Sequence, residues 1–236
     1  MNTLARTGTR RRQAIAAGLV VLAVFAFAPA HAAQDYVSRP VAFVRIGVPA
    51  STSVLVAMSF DPLDSSLRAV LSNQLTGAST EAAADRALKW DPSAQQYVIS
   101  FKADGTGDTN KDGYWFASGT NWIPSTQTFA SGDAFWIENR HDAQQVFLGG
   151  AVVLAETQAV TFIEGLNAFG YPFSSRIALN GTDLALDGAH GATNAAGSDR
   201  INEASGDMYW LLDRPGDAND GRWLNQTGGL ANLSME

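Results

Sequence analysis

Two short stretches of this sequence carry oxygen-bearing side chains at a spacing that could hold a cation. One is Asp108-Thr109-Asn110-Lys111-Asp112-Gly113-Tyr114-Trp115, and its echo is Asp217-Ala218-Asn219-Asp220-Gly221-Arg222-Trp223. In the first, Asp108, Asn110 and Asp112 alternate and a glycine follows. That matches the opening half of a calcium loop, in which alternate oxygens converge on a hard cation and glycine allows the sharp turn. The twelfth position of such a loop, where a bidentate carboxylate belongs, is Gly119 here. Asp104 is the residue that could stand in from the other side. The second stretch is compressed and breaks the spacing. Asp, Asn and Gly are also the ordinary residues of a solvated turn, so the expectation is calcium at Asp108, Asn110 and Asp112, weighed against a plain hairpin turn.

The aromatic side chains offer different chemistry. Trp90, Tyr97, Trp115, Trp122, Trp136, Tyr209, Trp210 and Trp223 are many for a chain of 236 residues. Exposed indole rings stack on sugar faces, while nearby Asp, Asn and Arg supply hydrogen bonds. Trp115, Trp122, Trp136 and Trp223 are the expected ligand-binding set. The competing reading is core packing, since aromatics favour strands and bury much area. In Phe135-Trp136-Ile137, alternate residues must point to opposite faces of a strand, so at least one large apolar group lies outward or under a loop.

Catalysis has less support. Beyond residue 33 there are two histidines, His141 and His190, each in a Gly- or Asp-rich turn. Neither is near a Gly-X-Ser-X-Gly elbow or a His-Glu-X-X-His helix. Glu138 and Glu164 flank strand ends, but nothing distinguishes them from Glu156 or Glu203 as a glycosidase pair. No catalytic residue is assigned. The glycines lie in turns and do not open a helix, which argues against a phosphate cradle.

The elements that would position these residues read as strands. Val44, Ile46 and Val48 alternate within Val41 to Val48, and Val54, Val56, Met58 and Phe60 repeat the pattern. Pro49-Ala50-Ser51 joins them, so the spacing predicts a first hairpin. Asp64 could cap a short helix carrying Leu67, Val70 and Leu71 and stopped by Gly77, or the same letters could form an irregular strand. Ala82 to Ala87 could add a helical turn. Short runs follow at Leu88–Trp90, Tyr97–Phe101, Tyr114–Ala117, Gln127–Phe129, Ala134–Glu138 and Gln145–Val153, punctuated by turn residues. Gln158–Ile163 and Leu166–Pro172 read as a hairpin around Glu164-Gly165, and Asn180-Gly181 as a two-residue hairpin turn.

Residues 1–33 read as a signal peptide. Arg6, Arg10, Arg11 and Arg12 form a basic start, Ala14 to Ala28 an apolar stretch, and Ala30-His31-Ala32 a cleavage site. The apolar run is shorter than the roughly 18–20 residues of a membrane span, and no transmembrane segment is expected after cleavage. Thr9-Arg10-Arg11-Arg12 hints at twin-arginine export, though Gln13 and Ala14 replace the hydrophobic residues that should follow. Four of the 16 basic residues are removed with this segment, leaving 12 against 23 acidic ones, a net charge of −11. Such a chain repels nucleic acid and anionic membranes. With no cysteine there is no disulfide, thiolate nucleophile, Cys-ligated zinc or lipid-bearing cysteine.

The second half echoes the first. Phe43–Ile46 then Met58–Phe60 match Val160–Ile163 then Tyr171–Phe173. Asp85-Arg86 matches Asp199-Arg200, Gln96-Tyr97-Val98 matches Met208-Tyr209-Trp210, Gly113-X-Trp115 matches Gly221-X-Trp223, and Thr128-Phe129 matches Asn232-Leu233. Offsets drift from 114 to 104 in order, as a diverged duplication gives. The expected organisation is a signal peptide at 1–33, a first β repeat at 34–155 and a second at 156–236. The second repeat lacks the closing strands that the first has after Phe129, so it reads as incomplete at its C-terminal end. An unpaired sheet edge invites another chain.

These residues together carry a resemblance. The signal peptide, the Val-Ala-Phe-Val-Arg-Ile-Gly-Val-Pro-Ala strand, Trp90-Asp91 with Tyr97, Gly132-Asp133-Ala134-Phe135-Trp136-Ile137 and Gly165-Leu166-Asn167-Ala168-Phe169-Gly170-Tyr171-Pro172-Phe173 resemble uncharacterised two-repeat secreted β-rich proteins of environmental Gram-negative bacteria. The resemblance spans nearly the whole chain after residue 33. It implies no activity and transfers no catalytic residue. In that pattern a Pro-Gly-X-X-Phe/Tyr-Trp strand closes the second unit too.

The expected fold is all-β, a duplicated sandwich-like or barrel-like unit of short strands. The expected function is a non-catalytic secreted, periplasmic or outer-surface protein that binds a polysaccharide or an envelope protein, or takes part in assembly. A secreted hydrolase with an unrecognised carboxylate pair is the alternative.

Overall fold

The apolar faces of the first two strands determine much of the architecture. β1 (Val41–Val48) and β2 (Ser53–Ala57) are both extended, but they do not form the hairpin that their proximity predicts. β1 pairs antiparallel with β8 (Gln144–Val152), Val41 opposite Ala151, and β2 pairs with β7 (Ala134–Glu138), Val54 opposite Ile137. The physical reason is burial. Placed in two different sheets, Val48 from one strand and Val56 from the other, with Met58 just beyond its end, meet in a single core. Ser51, in the left-handed region at φ 52°, turns the chain between the sheets.

The computed structural model describes residues 39–236 apart from 156, 174, 176, 204, 232, 233 and 236. The signal peptide expected at 1–33 and the Asn232-Leu233 match lie outside the described residues. The remaining elements are β3 (Phe60–Asp61), α1 (Leu67–Leu71), β4 (Arg86–Asp91), β5 (Gln96–Lys102), β6 (Trp115–Ala117), β9 (Ile177–Ala178), β10 (Arg200–Asn202), β11 (Met208–Leu211), β12 (Trp223–Asn225) and β13 (Ser234–Met235). The chain is all-β, with antiparallel sheets ordered β1-β8-β3, β2-β7-β4-β5-β6, β10-β11-β12 and β13-β9.

The first two sheets share one core. Val48, Val146 and Leu148 come from one sheet, and Val56, Phe135, Ile137 and Trp115 from the other. Leu67, Val70 and Leu71 of α1 add to it. Each such side chain contributes about 1.5–3 kcal/mol on burial. That burial holds α1, because five residues alone cannot sustain a helix in water. Its cap is Ser66, whose hydroxyl accepts from the Ala69 amide at 3.3 Å, while Asp64 instead accepts from the Ser66 amide at 2.9 Å. The helix stops at Ser72 (φ 46°), before Gly77. The turn expected at Ala82–Ala87 is a single one over Thr80–Ala84, and β4 begins two residues later.

Three further expectations are corrected. Gln127–Phe129 is not a strand; Thr128 makes one isolated bridge to Ser66. Gln158–Ile163 and Leu166–Pro172 are not strands either. The Asn167 side chain donates to the Ile163 carbonyl (2.7 Å) and accepts from the Ile163 amide (3.1 Å), which closes a loop where a ladder was expected. Asn180-Gly181 lies in a 3-10 turn, Leu179–Gly181. The Asn180 amide group is occupied by the backbone N–H (2.8 Å) and C=O (3.1 Å) of Trp223.

The meander β10-β11-β12 follows the hydrogen-bond scheme of β4-β5-β6. Arg86 lies opposite Phe101 and Arg200 opposite Trp210; Lys102 lies opposite Trp115 and Leu211 opposite Trp223. Asp85 accepts from the Thr76 amide as Asp199 does from that of His190. Ala78 bridges Ala103 in parallel, as Ala192 does Leu212. Leu67 and Leu179, at the start of α1 and of the 3-10 turn, are both fully buried. The register changes one correspondence read from sequence. Trp210 takes the place of Phe101, not of Val98, because the hairpin β10–β11 is shorter than β4–β5.

Candidate binding surface

The four tryptophans expected to bind ligand fall into different environments. Trp115 and Trp223 are 4 % and 3 % exposed and belong to the cores of the two meanders. Their strands turn those rings inward, which corrects the expectation that they stack on a sugar. Trp122 is half-buried at φ 60°. It sits edge-on to Phe101 and Phe116, with ring centroids at 5.6 and 5.2 Å, and the Lys111 ammonium lies 4.7 Å from its own ring centroid. It covers a small apolar cluster.

Trp136 is different. Phe135 and Ile137 are buried in the core, and the two-residue period of β7 directs Trp136 to the opposite face. There the register aligns Leu55, Trp136, Leu88 and Ile99 across four neighbouring strands, all half-buried. The next pair in phase is Trp90 and Tyr97, with centroids 4.9 Å apart and rings inclined at 75°. Tyr97 is 41 % exposed, and the Trp136 indole N–H lies 3.2 Å from its hydroxyl. Of this row the sequence pointed to Trp136, Trp90 and Tyr97. It missed Leu55, Leu88 and Ile99, whose shared row depends on pairing between distant strands.

Polar groups border the row at both ends. On one side Arg86 lies 3.5 Å from Glu81 and 3.9 Å from Glu138, and Arg140 lies 2.7 Å from Glu138. Glu81 also accepts from the Ser118 hydroxyl and from the Gly119 amide. These bonds, the hydroxyl's first, hold its carboxyl below the usual range. On the other side Gln95 binds the Leu166 amide (2.9 Å) and carbonyl (3.1 Å), and the Trp90 indole donates to the same carbonyl at 2.7 Å. The face is thus an apolar strip with charged and amide groups along its rims.

The Asp108 turn is closed by its own bonds. Asp112 Oδ1 accepts from the Thr106 amide (2.8 Å) and hydroxyl (2.6 Å), Asp108 Oδ1 accepts from the Asn110 amide (2.9 Å), and Asp108 Oδ2 is 3.5 Å from Lys111. Asp220 and Asp217 repeat this with the Arg214 and Asn219 amides. Hydrogen bonds from Thr106 and from the Asn110 amide lower the pKa values of Asp112 and Asp108 respectively. Among the described residues no group of three or more His, Asp and Glu converges as a metal site.

His141, read from sequence as a loop residue, reaches Asp85. Its Nδ1 is 2.9 Å from Asp85 Oδ1. The same carboxylate accepts from the amides of Thr76 and Arg140 and from the Gln144 side chain. The Asp85-Arg86 and Asp199-Arg200 match read from the sequence falls on this residue, and both aspartates accept a backbone amide. Its bonds tie loops together at the end of the sheet. No serine or threonine hydroxyl among the described residues is bonded to the His141 ring.

No family model matches this chain, and neither a curated protein nor a solved structure shows significant similarity to it. Among the described residues no helix is long and apolar enough to cross a membrane.

Proposed function

We propose that this is a non-catalytic binding protein of the cell envelope or exterior, built from two copies of one meander, and that the outer face of β2-β7-β4-β5 is its ligand surface. The observation that carries the reading is the half-exposed row Leu55–Trp136–Leu88–Ile99 with Trp90 and Tyr97 beside it. Four strands at about 4.8 Å spacing make a strip long enough for several units of an extended polymer. The rims, with Arg86, Glu138 and Gln95, supply donors and acceptors. That combination suits a polysaccharide, whose rings present apolar faces and hydroxyl edges. The envelope location rests on the order of basic, apolar and small residues in 1–33. The duplication rests on the shared hydrogen-bond scheme of the two meanders.

The hydrolase reading draws less support, since the two glutamates that border this face, Glu81 and Glu138, are each held by an arginine, at 3.5 and 2.7 Å. The test is co-sedimentation with insoluble cellulose, chitin and peptidoglycan. Capture by one of them, weakened at least ~10-fold by Trp136→Ala or Tyr97→Ala but not by Asn121→Ala at an exposed loop position, is the expected result. Capture by none, or capture indifferent to Trp136, overturns the proposal.

A further inference from the structure

In the first meander, strand β4 is covered on its outer edge by β7. Arg86 lies opposite Glu138, Ala87 opposite Ile137, Leu88 opposite Trp136 and Lys89 opposite Phe135. Two charge contacts set this register. Lys89 Nζ is 2.5 Å from Asp133, just ahead of β7, and Arg86 is 3.9 Å from Glu138. In the second meander β10 takes the place of β4. Arg200, Ile201, Asn202 and Glu203 stand where Arg86, Ala87, Leu88 and Lys89 stand. Its outer edge carries no strand among the described residues.

The ladder shows which groups are free. The Glu203 amide donates to the Asp207 carbonyl at 2.9 Å. Antiparallel bonding alternates along the strand, so Ile201 bonds inward to Tyr209. Arg200 and Asn202 then point their N–H and C=O groups outward, the same phase in which β4 meets β7. An edge of this kind is a template for another strand.

One position differs in sign. Glu203 stands where Lys89 stands, and its carboxylate accepts from the Ser205 hydroxyl at 3.0 Å. Asp207 is close by, since Ser205 also lies 3.2 Å from it. The Tyr209 hydroxyl is pushed above its ordinary pKa by burial first and then by these two carboxylates. No ion pair to Glu203 is present among the described residues. The position from which Asp133 reaches Lys89 therefore calls for a cation here.

We propose that the outer edge of β10 receives an extended segment of a partner polypeptide with the pattern Lys/Arg-X-Phe-X-Ile-Glu, bound antiparallel in the register of β7. The aromatic residue lies opposite Glu203 and the aliphatic one opposite Ile201. The acid faces Arg200, and the leading cation reaches Glu203. Main-chain bonds from Arg200 and Asn202 supply affinity, and the reversed charge supplies specificity. This site is separate from the aromatic face and stands or falls without it.

The probes are two synthetic peptides, Ser131 to Arg140 of this chain and the same peptide carrying Asp133→Lys. Binding to the purified protein is read by calorimetry and by hydrogen exchange of individual amides. The Asp133→Lys peptide is expected to bind at least ~10-fold more tightly than the unmodified one and to slow exchange at Arg200 and Asn202. Glu203→Lys in the protein is expected to reverse the preference. Asn202→Pro, which removes an outward N–H without touching the β10–β11 ladder, is expected to weaken both peptides. No binding, equal binding of the two peptides, or protection located elsewhere overturns the proposal. If Asn202→Pro fails to fold, the Glu203→Lys reversal alone decides.

Discussion

His141 Nδ1 lies 2.9 Å from Oδ1 of Asp85, a carboxylate with no exposure to solvent. Asp85 also holds two backbone amides and the Gln144 side chain, so one buried anion ties the Thr76 loop to the distant stretch from Arg140 to Gln144. Asp199, its counterpart, accepts from the His190 amide at 2.7 Å. Asp85→Ala is therefore expected to cost about 3 kcal/mol or more, because several buried donors lose their acceptor. Asp199→Ala is expected to cost about 1 kcal/mol. Urea denaturation of the two variants, with slopes compared to check that both unfold in one step, distinguishes a hub from a single clamp.

Gly77 and Gly191 supply a paired test of the two meanders. A Cβ on Gly77 would fall 2.6 Å from Asp104 Cβ, and one on Gly191 would fall 2.7 Å from Asp213 Cβ. Neither distance is tolerable, so Gly77→Ala and Gly191→Ala are each expected to destabilise by about 1–3 kcal/mol. Gly47, with nothing within 4 Å of its virtual Cβ, is the control. Gly47→Ala is expected to be neutral or slightly stabilising. Thermal melts of the three variants suffice, and a harmless alanine at 77 or 191 would show that the close approach of the two loops is wrong.

Acid stability should depend on Glu81. Its carboxyl is held below the ordinary range, chiefly by the Ser118 hydroxyl and then the Gly119 amide. A carboxyl whose folded-state pKa is depressed binds fewer protons folded than unfolded. Its contribution is complete above the unfolded-state value of about 4.3 and disappears as pH falls through the lower folded-state value. Glu81→Gln is expected to lower stability at pH 7 and to flatten the decline in urea midpoint between about pH 5 and pH 2. Equal declines in both proteins would remove Glu81 as a contributor.

What could be read from the sequence was local. The alternation at Val54, Val56 and Met58 identified inward residues, and the Asp-Gly-X-Trp echo identified two turns that share their hydrogen bonds down to Asp112 and Asp220. Pairing was not legible. β1 lies within five residues of β2 yet pairs with β8, a hundred residues on, because the alternation says which side is apolar and not which strand lies alongside. Asn180-Gly181 has the letters of a hairpin turn, but the Asn180 amide group finds better partners on Trp223. The row on the outer face of β2-β7-β4-β5 suffered the same limit. The sequence names Trp136 only together with Trp115, Trp122 and Trp223, of which Trp115 and Trp223 are buried, and Leu55, Leu88 and Ile99 become a surface only when three sets of strand pairs are in register.

The long separation between β1 and β8 also sets an order of events as the chain is made. The meanders β4-β5-β6 and β10-β11-β12 join neighbours in sequence and can close as soon as they emerge. β1, with Val41 and Phe43 still largely uncovered in the finished fold, has to wait until Val152 is available. At a synthesis rate of about 5–20 residues per second, that leaves an eight-residue apolar strand without its partner for roughly 5–20 s. A holding factor that shields β1 during this interval would act on folding yield and leave the equilibrium stability of the finished protein unchanged.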